Sequence, residues 1–290
     1  LAMHRYLRSS VRFFDKCHYA ILMQTVLIVT VVTAITLMPE KRFPLQQAAT
    51  VLRRLKQRAT EAVFSDLRMA WRSSGNSNEE LVRNLQKGRI FTSDRVRDAM
   101  LAVDRADFAP VSPYRDQPQG IGWNATISAP HMAKHLKNHL IDGAYALDVG
   151  SGSGYLTVCM AIMIGKNGKV VGVDHIPELV ELAKENTRKN HSDLVDSGRV
   201  LFVEGDGRKG YPIDHKYNAI HVGAAAETVP KPLIEQLADG GRMLIPVGKE
   251  GGNQVFLQVD KVDGNVTQKV IEHVIYVPLT SKAHQLGRYD

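Results

Sequence analysis

Cysteine and aromatic residues are scarce in this sequence: two cysteines, Cys17 and Cys159, stand in different segments, and Phe, Trp and Tyr supply 7% of 290 residues. Two distant thiols build neither a disulfide framework nor a thiolate metal centre, which favours a reducing compartment. Metal-ligand spacing is missing among the histidines too, so His175, His273 and His284 read as surface or structural residues and no metal is expected. Hydrophobic content of 44% excludes a disordered chain, and the 23 glycines and 12 prolines exclude a collagen-like one.

A basic surplus is also lacking over most of the chain. The net charge of +7 belongs to residues 1 to 68, which carry 11 Lys and Arg against 4 Asp and Glu, whereas residues 69 to 290 balance 26 against 26. That balance argues against a basic groove and against nucleic acid as a partner.

No charged side chain occurs between Lys16 and Glu40, and Ala20 to Met38 is a 19-residue run broken only by Gln24 and four threonines. It is long enough to cross a bilayer. Basic residues flank both ends, Arg5, Arg8, Arg12 and Lys16 before and Lys41, Arg42, Arg53 and Arg54 after, so the positive-inside rule sets no orientation. A signal peptide fits less well, because the run exceeds a typical h-region and no small-x-small site follows. Two readings stay open: a transmembrane anchor at about 20–38, with 45–68 as a basic amphipathic helix on a membrane or in solvent, or an extension outside the working protein. The expected organisation is an N-terminal extension, 1–68, and one domain, 69–290. That domain is expected to be cytosolic unless anchored and, lacking heptads, monomeric.

From residue 69 the pattern is legible. Ser77 and Glu80 have capping-box spacing ahead of Leu81, Val82 and Leu85, and Ser93 precedes a second amphipathic segment through Val96, Met100 and Val103. Between Pro110 and Pro130 the chain reads as an irregular loop. From Tyr145 onward, apolar runs at 145–150, 169–174, 200–204, 218–222 and 242–247 alternate with helical patterns at about 154–165, 176–190 and 229–239. This rhythm predicts an α/β, doubly wound, mostly parallel sheet. Runs at 254–260 and 269–277, joined through Asp263-Gly264, predict a C-terminal antiparallel hairpin. Cys159, Leu156, Val158, Met160 and Met163 read as core packing.

Asp148-Val149-Gly150-Ser151-Gly152-Ser153-Gly154 follows the first strand of this series and opens its helix. Glycines there permit a tight turn and close approach of a ligand, at the carboxyl end of the strands. The Gly-x-Gly-x-Gly spacing differs from the Gly-x-Gly-x-x-Gly that seats a pyrophosphate. Asp174 closes the second strand, placed to accept from two ribose hydroxyls, and Asp206 follows the third, placed to receive an adenine amino group. An acid leading the glycines and acids after the next two strands describe a nucleoside without phosphate, which points to S-adenosylmethionine rather than NAD.

The strings Ala125-Thr126-Ile127-Ser128-Ala129-Pro130-His131-Met132, Ala146-Leu147-Asp148-Val149-Gly150-Ser151-Gly152-Ser153-Gly154, Gly205-Asp206-Gly207-Arg208, Ala219-Ile220-His221-Val222-Gly223-Ala224-Ala225 and Val277-Pro278-Leu279-Thr280 resemble the protein-L-isoaspartate (D-aspartate) O-methyltransferase family. The resemblance runs from Met69-Ala70-Trp71 to near the C-terminus. It implies a Rossmann-like class I S-adenosylmethionine-dependent methyltransferase fold, S-adenosylmethionine as cofactor, and damaged proteins carrying L-isoaspartyl or D-aspartyl residues as substrates. It further implies Ser128 as the active-site residue, and Thr126, Ile127, Ser153, Asp174, Asp206, Gly207, Thr280 and Gln285 as cofactor positions, beside Asp148, Gly150, Gly152 and Gly154 of the glycine turn. The alternative role for Ser128, compatible with substrate contact, is the N-cap of a helix led by Pro130. His131 reads as a second acceptor contact or as a packed or capping histidine. One departure is that the chain is several residues shorter between Met132 and Asp148 than animal members, leaving a further cofactor contact unassigned.

An ionised carboxylate attacking a methyl sulfonium needs no general base, so a catalytic His-carboxylate dyad is not expected. His221 stands where amino-group methyltransferases carry Asn/Asp-Pro-Pro-aromatic; the element is missing, which argues against base methylation. Two other classes remain: a membrane-tethered adaptor that keeps the nucleoside pocket without transfer, and a small-molecule or RNA methyltransferase.

Overall fold

The computed structural model describes residues 73–128 and 135–287. The apolar run at 20–38, the amphipathic segment at 45–68, Met69 to Trp71 and His131 lie outside the described residues. Among the described residues no helix is long and apolar enough to cross a membrane.

Two helices open this region, α1 (Asn78–Lys87) and α2 (Asp94–Ala102). Ser77 caps α1, its hydroxyl accepting from the Glu80 N–H at 3.2 Å, and Leu81, Val82 and Leu85 form the buried stripe. The expected reciprocal bond is displaced by one residue: Glu80 accepts from the backbone and side chain of Asn76. Ser93 stands at the N-cap of α2 without a capping bond.

The 110–130 stretch is not the irregular loop its prolines suggest. It contains an antiparallel pair, β1 (Gln119–Gly122) and β2 (Ala125–Ile127), turned by Trp123 and Asn124 at φ 46° and 56°. Two consecutive positive φ values are the signature of a type I′ hairpin turn, but Trp-Asn is not the Asn-Gly that normally announces one.

The main sheet has seven strands in the order β5-β4-β3-β6-β7-β8-β9. Its parallel part comprises β3 (Tyr145–Val149), β4 (Lys169–Asp174), β5 (Val200–Glu204), β6 (Tyr217–Val222) and β7 (Leu237–Val247), and β8 (Gln254–Val262) and β9 (Asn265–Val274) complete it antiparallel. Helices α3 (Tyr155–Met163), α4 (Pro177–Asp196) and α5 (Lys231–Gln236) connect the parallel strands. Ala146, Val170 and Ala219 face a core shared with α1 to α4, while Leu147, Val171 and Ile220 face a second one with Leu233. Burial on both faces is why these strands read as continuous apolar runs. The hairpin turn has Asp263 and Gly264 at φ 51° and 74°, as its Asp-Gly predicts.

Two expected boundaries move. The helix expected over 229–239 stops at Gln236, and β7 begins at Leu237, which pairs with Tyr217 before Gly240 and Gly241. Sheet pairing recruits residues whose local pattern reads as helix. Conversely α4 runs on to Asp196 through a non-helical His191.

Candidate active site

Strand order reverses at β3, which pairs in parallel with β4 on one side and β6 on the other, and the carboxyl edge at such a reversal opens into a crevice. The glycine turn after β3 lies there. Gly150 and Gly152 adopt φ 74° and 52°, a left-handed conformation that is costly for other residues. Gly150 donates to the Val173 carbonyl at 2.8 Å, and the Gly152 N–H to Asp174 Oδ2 at 3.1 Å, so the turn is tied to the end of β4.

One cleft follows, in two lobes joined at Thr126, Gly150, Gly152 and Gly223. Asp174, His175, Gly207, Thr280 and Gln285 line the first lobe, with Val277 to Leu279 forming a wall. Ile127, Ser128, Asp148, Ser151, Ser153, Tyr155 and His221 line the second. Chain segments far apart in sequence are brought over the first lobe by a bridge between Ala225 and Pro278. Gln285, the last residue of α6 (Lys282–Gln285), locks it further: its Nε2 donates to the Trp123 carbonyl at 2.9 Å, its Oε1 lies 2.6 Å from His175 Nε2, and its carbonyl accepts from Asn124 Nδ2 at 2.7 Å.

Burial raises the Asp174 carboxyl above its ordinary pKa, against the pull of the Ile176 and Gly152 N–H groups that donate to it. Asp206 differs. Arg208 grips both its carboxylate oxygens at 2.8 Å and holds its pKa below the ordinary value, and Asp206 caps the turn at 207–209 rather than lining the cleft. Its neighbour Gly207 does line it, and a Cβ there would overlap the Val149 Cγ1 methyl. Gly154 also stands outside the lining. At φ 92° it heads α3 and lets that helix pack on Ala183 and Phe202, where a Cβ would meet carbons at 3.1 Å.

The second lobe contains a dyad that sequence reasoning did not expect. Asp148 and His221 are register partners on β3 and β6, with His221 Nδ1 2.9 Å from Asp148 Oδ1; Thr157 donates to Oδ2 at 2.6 Å. The pair is invisible along the chain because its members are 73 residues apart. His221 Nε2 and Ser151 Oγ are buried in this lobe without a partner, so it is polar and unsaturated. Tyr155 was missed as well, although the first residue of a helix after a ligand-facing turn is well placed to be found. His175, read as structural, lines the first lobe. Cys159 is inert core: burial pushes its thiol up to about 12.

Fit to a nucleoside without phosphate is good. The first lobe contains a buried carboxylate at the end of β4 and, in its lining, a glycine packed so closely on Val149 that a side chain does not fit. A mostly parallel sheet, a glycine turn at its reversal, an acid closing the neighbouring strand and a C-terminal antiparallel hairpin define a class I S-adenosylmethionine-dependent methyltransferase fold. Comparison with known proteins narrows this class. Residues 76–284 match the family model described as protein-L-isoaspartate(D-aspartate) O-methyltransferase. The chain is similar to protein-L-isoaspartate O-methyltransferases of Caenorhabditis elegans, 60% identical over 76% of this chain and 100% of that protein, and of Triticum aestivum, 48% identical over 72% and 94%. A solved Plasmodium falciparum structure named for protein-L-isoaspartate O-methyltransferase, in complex with S-adenosyl-L-homocysteine, superposes with a TM-score of 0.67 at 35% identity, covering 71% of this chain and 99% of that one. The chain belongs to the protein-L-isoaspartate(D-aspartate) O-methyltransferase family.

Proposed function

We propose that this protein is a repair methyltransferase: it transfers a methyl group from S-adenosylmethionine to the free α-carboxylate of L-isoaspartyl and D-aspartyl residues in damaged proteins. The observation that carries this reading is the meeting of two lobes at Thr126, with the nucleoside-shaped lobe on one side and the Thr126-Ile127-Ser128 string on the other. That string lies outside the general methyltransferase sheet, on β2 and its exit.

Thr126, Ile127, Gly150, Gly152, Ser153, Asp174, Gly207, Thr280 and Gln285 are the residues we assign to the cofactor. Asp174 accepts from the ribose hydroxyls, and Gly207 lines the same lobe. Asp148 is engaged on both oxygens and shapes the floor through His221 and Thr157. Asp206 keeps spare lone pairs for the adenine amino group, which it would share with Arg208.

S-adenosylmethionine supplies an electrophilic methyl: the carboxylate oxygen forms the new O–C bond, the S–C bond breaks, and its electron pair stays on sulfur. Anion and cation become neutral ester and thioether, so exclusion of water favours the transition state, and alignment supplies much of the remainder. The chain therefore has to orient and desolvate, not to move a proton. Ser128 positions the acceptor carboxylate with its hydroxyl. The His221–Asp148 pair is in this reading a scaffold of the floor and not a general base, since an ionised acceptor has no proton to give. His131 is assigned with Ser128 to the acceptor side.

Residues 69–290 act as one methyltransferase domain, a reading supported by the matched span 76–284 and by the compact unit from Ala70 to Asp290. We further read it as a cytosolic monomer. Sedimentation and fractionation of the full chain test those two points, a dimer or a membrane-pelleting protein being the contrary results.

The enzymatic test gives the full chain methyl-labelled S-adenosylmethionine with an L-isoaspartyl peptide and its ordinary aspartyl twin. Base-labile label only in the isoaspartyl peptide is the expected result. No label in either, despite cofactor binding, sinks the reading and favours a non-catalytic adaptor or another acceptor.

A further inference from the structure

Arg105 opens a short 3-10 turn after α2 and is fully buried, 0% exposed. Its neighbour Asp104 does not neutralise it, because that carboxylate accepts from the Ala106 N–H and the Tyr114 hydroxyl. Among the described residues no carboxylate is hydrogen-bonded to Arg105, and the charge of Asp116 acts on it only through space. Its Nη2 donates to the Ser128 carbonyl at 2.9 Å, and its Cζ lies 5.0 Å from the centroid of the Tyr155 ring. Ser128 and Tyr155 both line the acceptor lobe, so the guanidinium stands directly behind two of its wall residues without lining it. The two remaining nitrogens, Nε and Nη1, are buried with no partner.

A buried cation with unspent donors is costly, and proteins tolerate it where a counter-charge arrives. Holding one carbonyl requires one donor, for which a neutral amide would serve. A permanent charge set behind the lobe adds what an amide cannot, attraction for an anion. We propose that Arg105 is a positioning residue that selects a carboxylate as methyl acceptor: its charge, set behind Ser128 and Tyr155, favours an anion in the lobe, and it holds Ser128, whose hydroxyl takes one carboxylate oxygen and leaves the other free to attack.

This proposal rests on the repair reading, but the two fail separately: absence of wild-type methylation sinks the repair reading, whereas Arg105 is tested by a ratio of affinities. The full chain, saturated with S-adenosyl-L-homocysteine, is titrated with an end-blocked isoaspartyl peptide and with the same peptide bearing an α-carboxamide. Wild type should prefer the carboxylate by about 10- to 100-fold, the size of a charged hydrogen bond. Arg105→Gln should remove most of that preference while leaving S-adenosyl-L-homocysteine affinity unchanged, and Arg105→Lys should restore part of it. A merely architectural arginine would weaken both peptides alike, so a preference kept in Arg105→Gln overturns the proposal. Should both variants fail to fold, wild type still decides. A carboxylate held against a cation stays ionised when bound, so its affinity should not rise between about pH 7 and pH 5; tightening on acidification would mean an uncompensated site and overturn the proposal.

Discussion

Asp148 and His221 sit opposite each other on adjacent parallel strands, 2.9 Å apart at Oδ1 and Nδ1 and almost fully buried, with the Thr157 hydroxyl closing the second carboxylate oxygen. The three come from two strands and a helix, so the cluster ties α3 to the centre of the sheet beneath the cleft. A buried acceptor stripped of its donor loses its compensation for leaving water.

Thr157→Val, nearly isosteric, should therefore lower unfolding stability by about 1–3 kcal/mol, and Thr157→Ser should recover most of it. Urea denaturation of both variants measures this. Equal stability of the valine variant and wild type would mean that Asp148 does not depend on that hydroxyl.

Asp174 gives a pH dependence with a definite sign. Burial raises its pKa in the free protein, and ribose hydroxyls donate to the ionised form, so cofactor binding favours loss of the proton. S-adenosylmethionine affinity should rise with pH through the raised pKa and fall on acidification earlier than an ordinary aspartate of pKa about 3.9 would allow. Isothermal titration across that range should trace the fall in wild type, and Asp174→Asn should bind weakly with a flat profile. A flat wild-type profile would remove Asp174 from the ribose.

The same group acts on folding with the opposite slope. Its folded pKa lies above the unfolded one, so the native state holds more protons in that window, and the Asp174 contribution to stability declines as pH rises through it. Comparing wild type with Asp174→Asn by denaturation at several pH values isolates this share, and the difference between them should grow towards neutral pH.

Gly207→Ala tests how tightly the turn after β5 packs beneath the first lobe. The new Cβ would overlap Val149 Cγ1 in the core, so a loss of about 1–3 kcal/mol is expected from overpacking, together with weaker S-adenosylmethionine binding. Unchanged stability and affinity would show that the turn relaxes freely.

Gln285→Ala should separate binding from folding. The side chain joins the β1–β2 turn and His175 across the first lobe, yet it buries little core. Global stability should change by no more than about 0.5 kcal/mol, while the cofactor dissociation constant rises several-fold. Equal affinity would mean that α6 closes the lobe without this contact.

Much of the fold was legible because its signals are local. β4 and β5 lie where their apolar runs end, Ser77 caps α1, and Asp263-Gly264 turns the last hairpin, each for reasons contained in a few neighbouring residues. The failures share the opposite cause. Leu237 joined β7 because Tyr217 offered it a ladder, and Trp123-Asn124 became a hairpin turn although a tryptophan disfavours positive φ. Packing of Gly154 against Phe202 and the grip of Arg208 on Asp206 were not legible either, because both are set by how the turns that follow β3 and β5 fold.

By itself the sequence determined the chemistry available: a glycine turn after a strand, acids at the ends of two strands, the Thr126-Ile127-Ser128 string, two distant cysteines, and balanced charge over residues 69–290. These follow from residue type and spacing, which the covalent chain carries wherever it goes. Only the tertiary structure decided which of those groups meet. Parallel pairing of β3 with β6 set His221 against Asp148. Docking of the segment after α2 brought Arg105 behind Ser128, a relation that lies in the distance between residues remote along the chain and has no local signal to read.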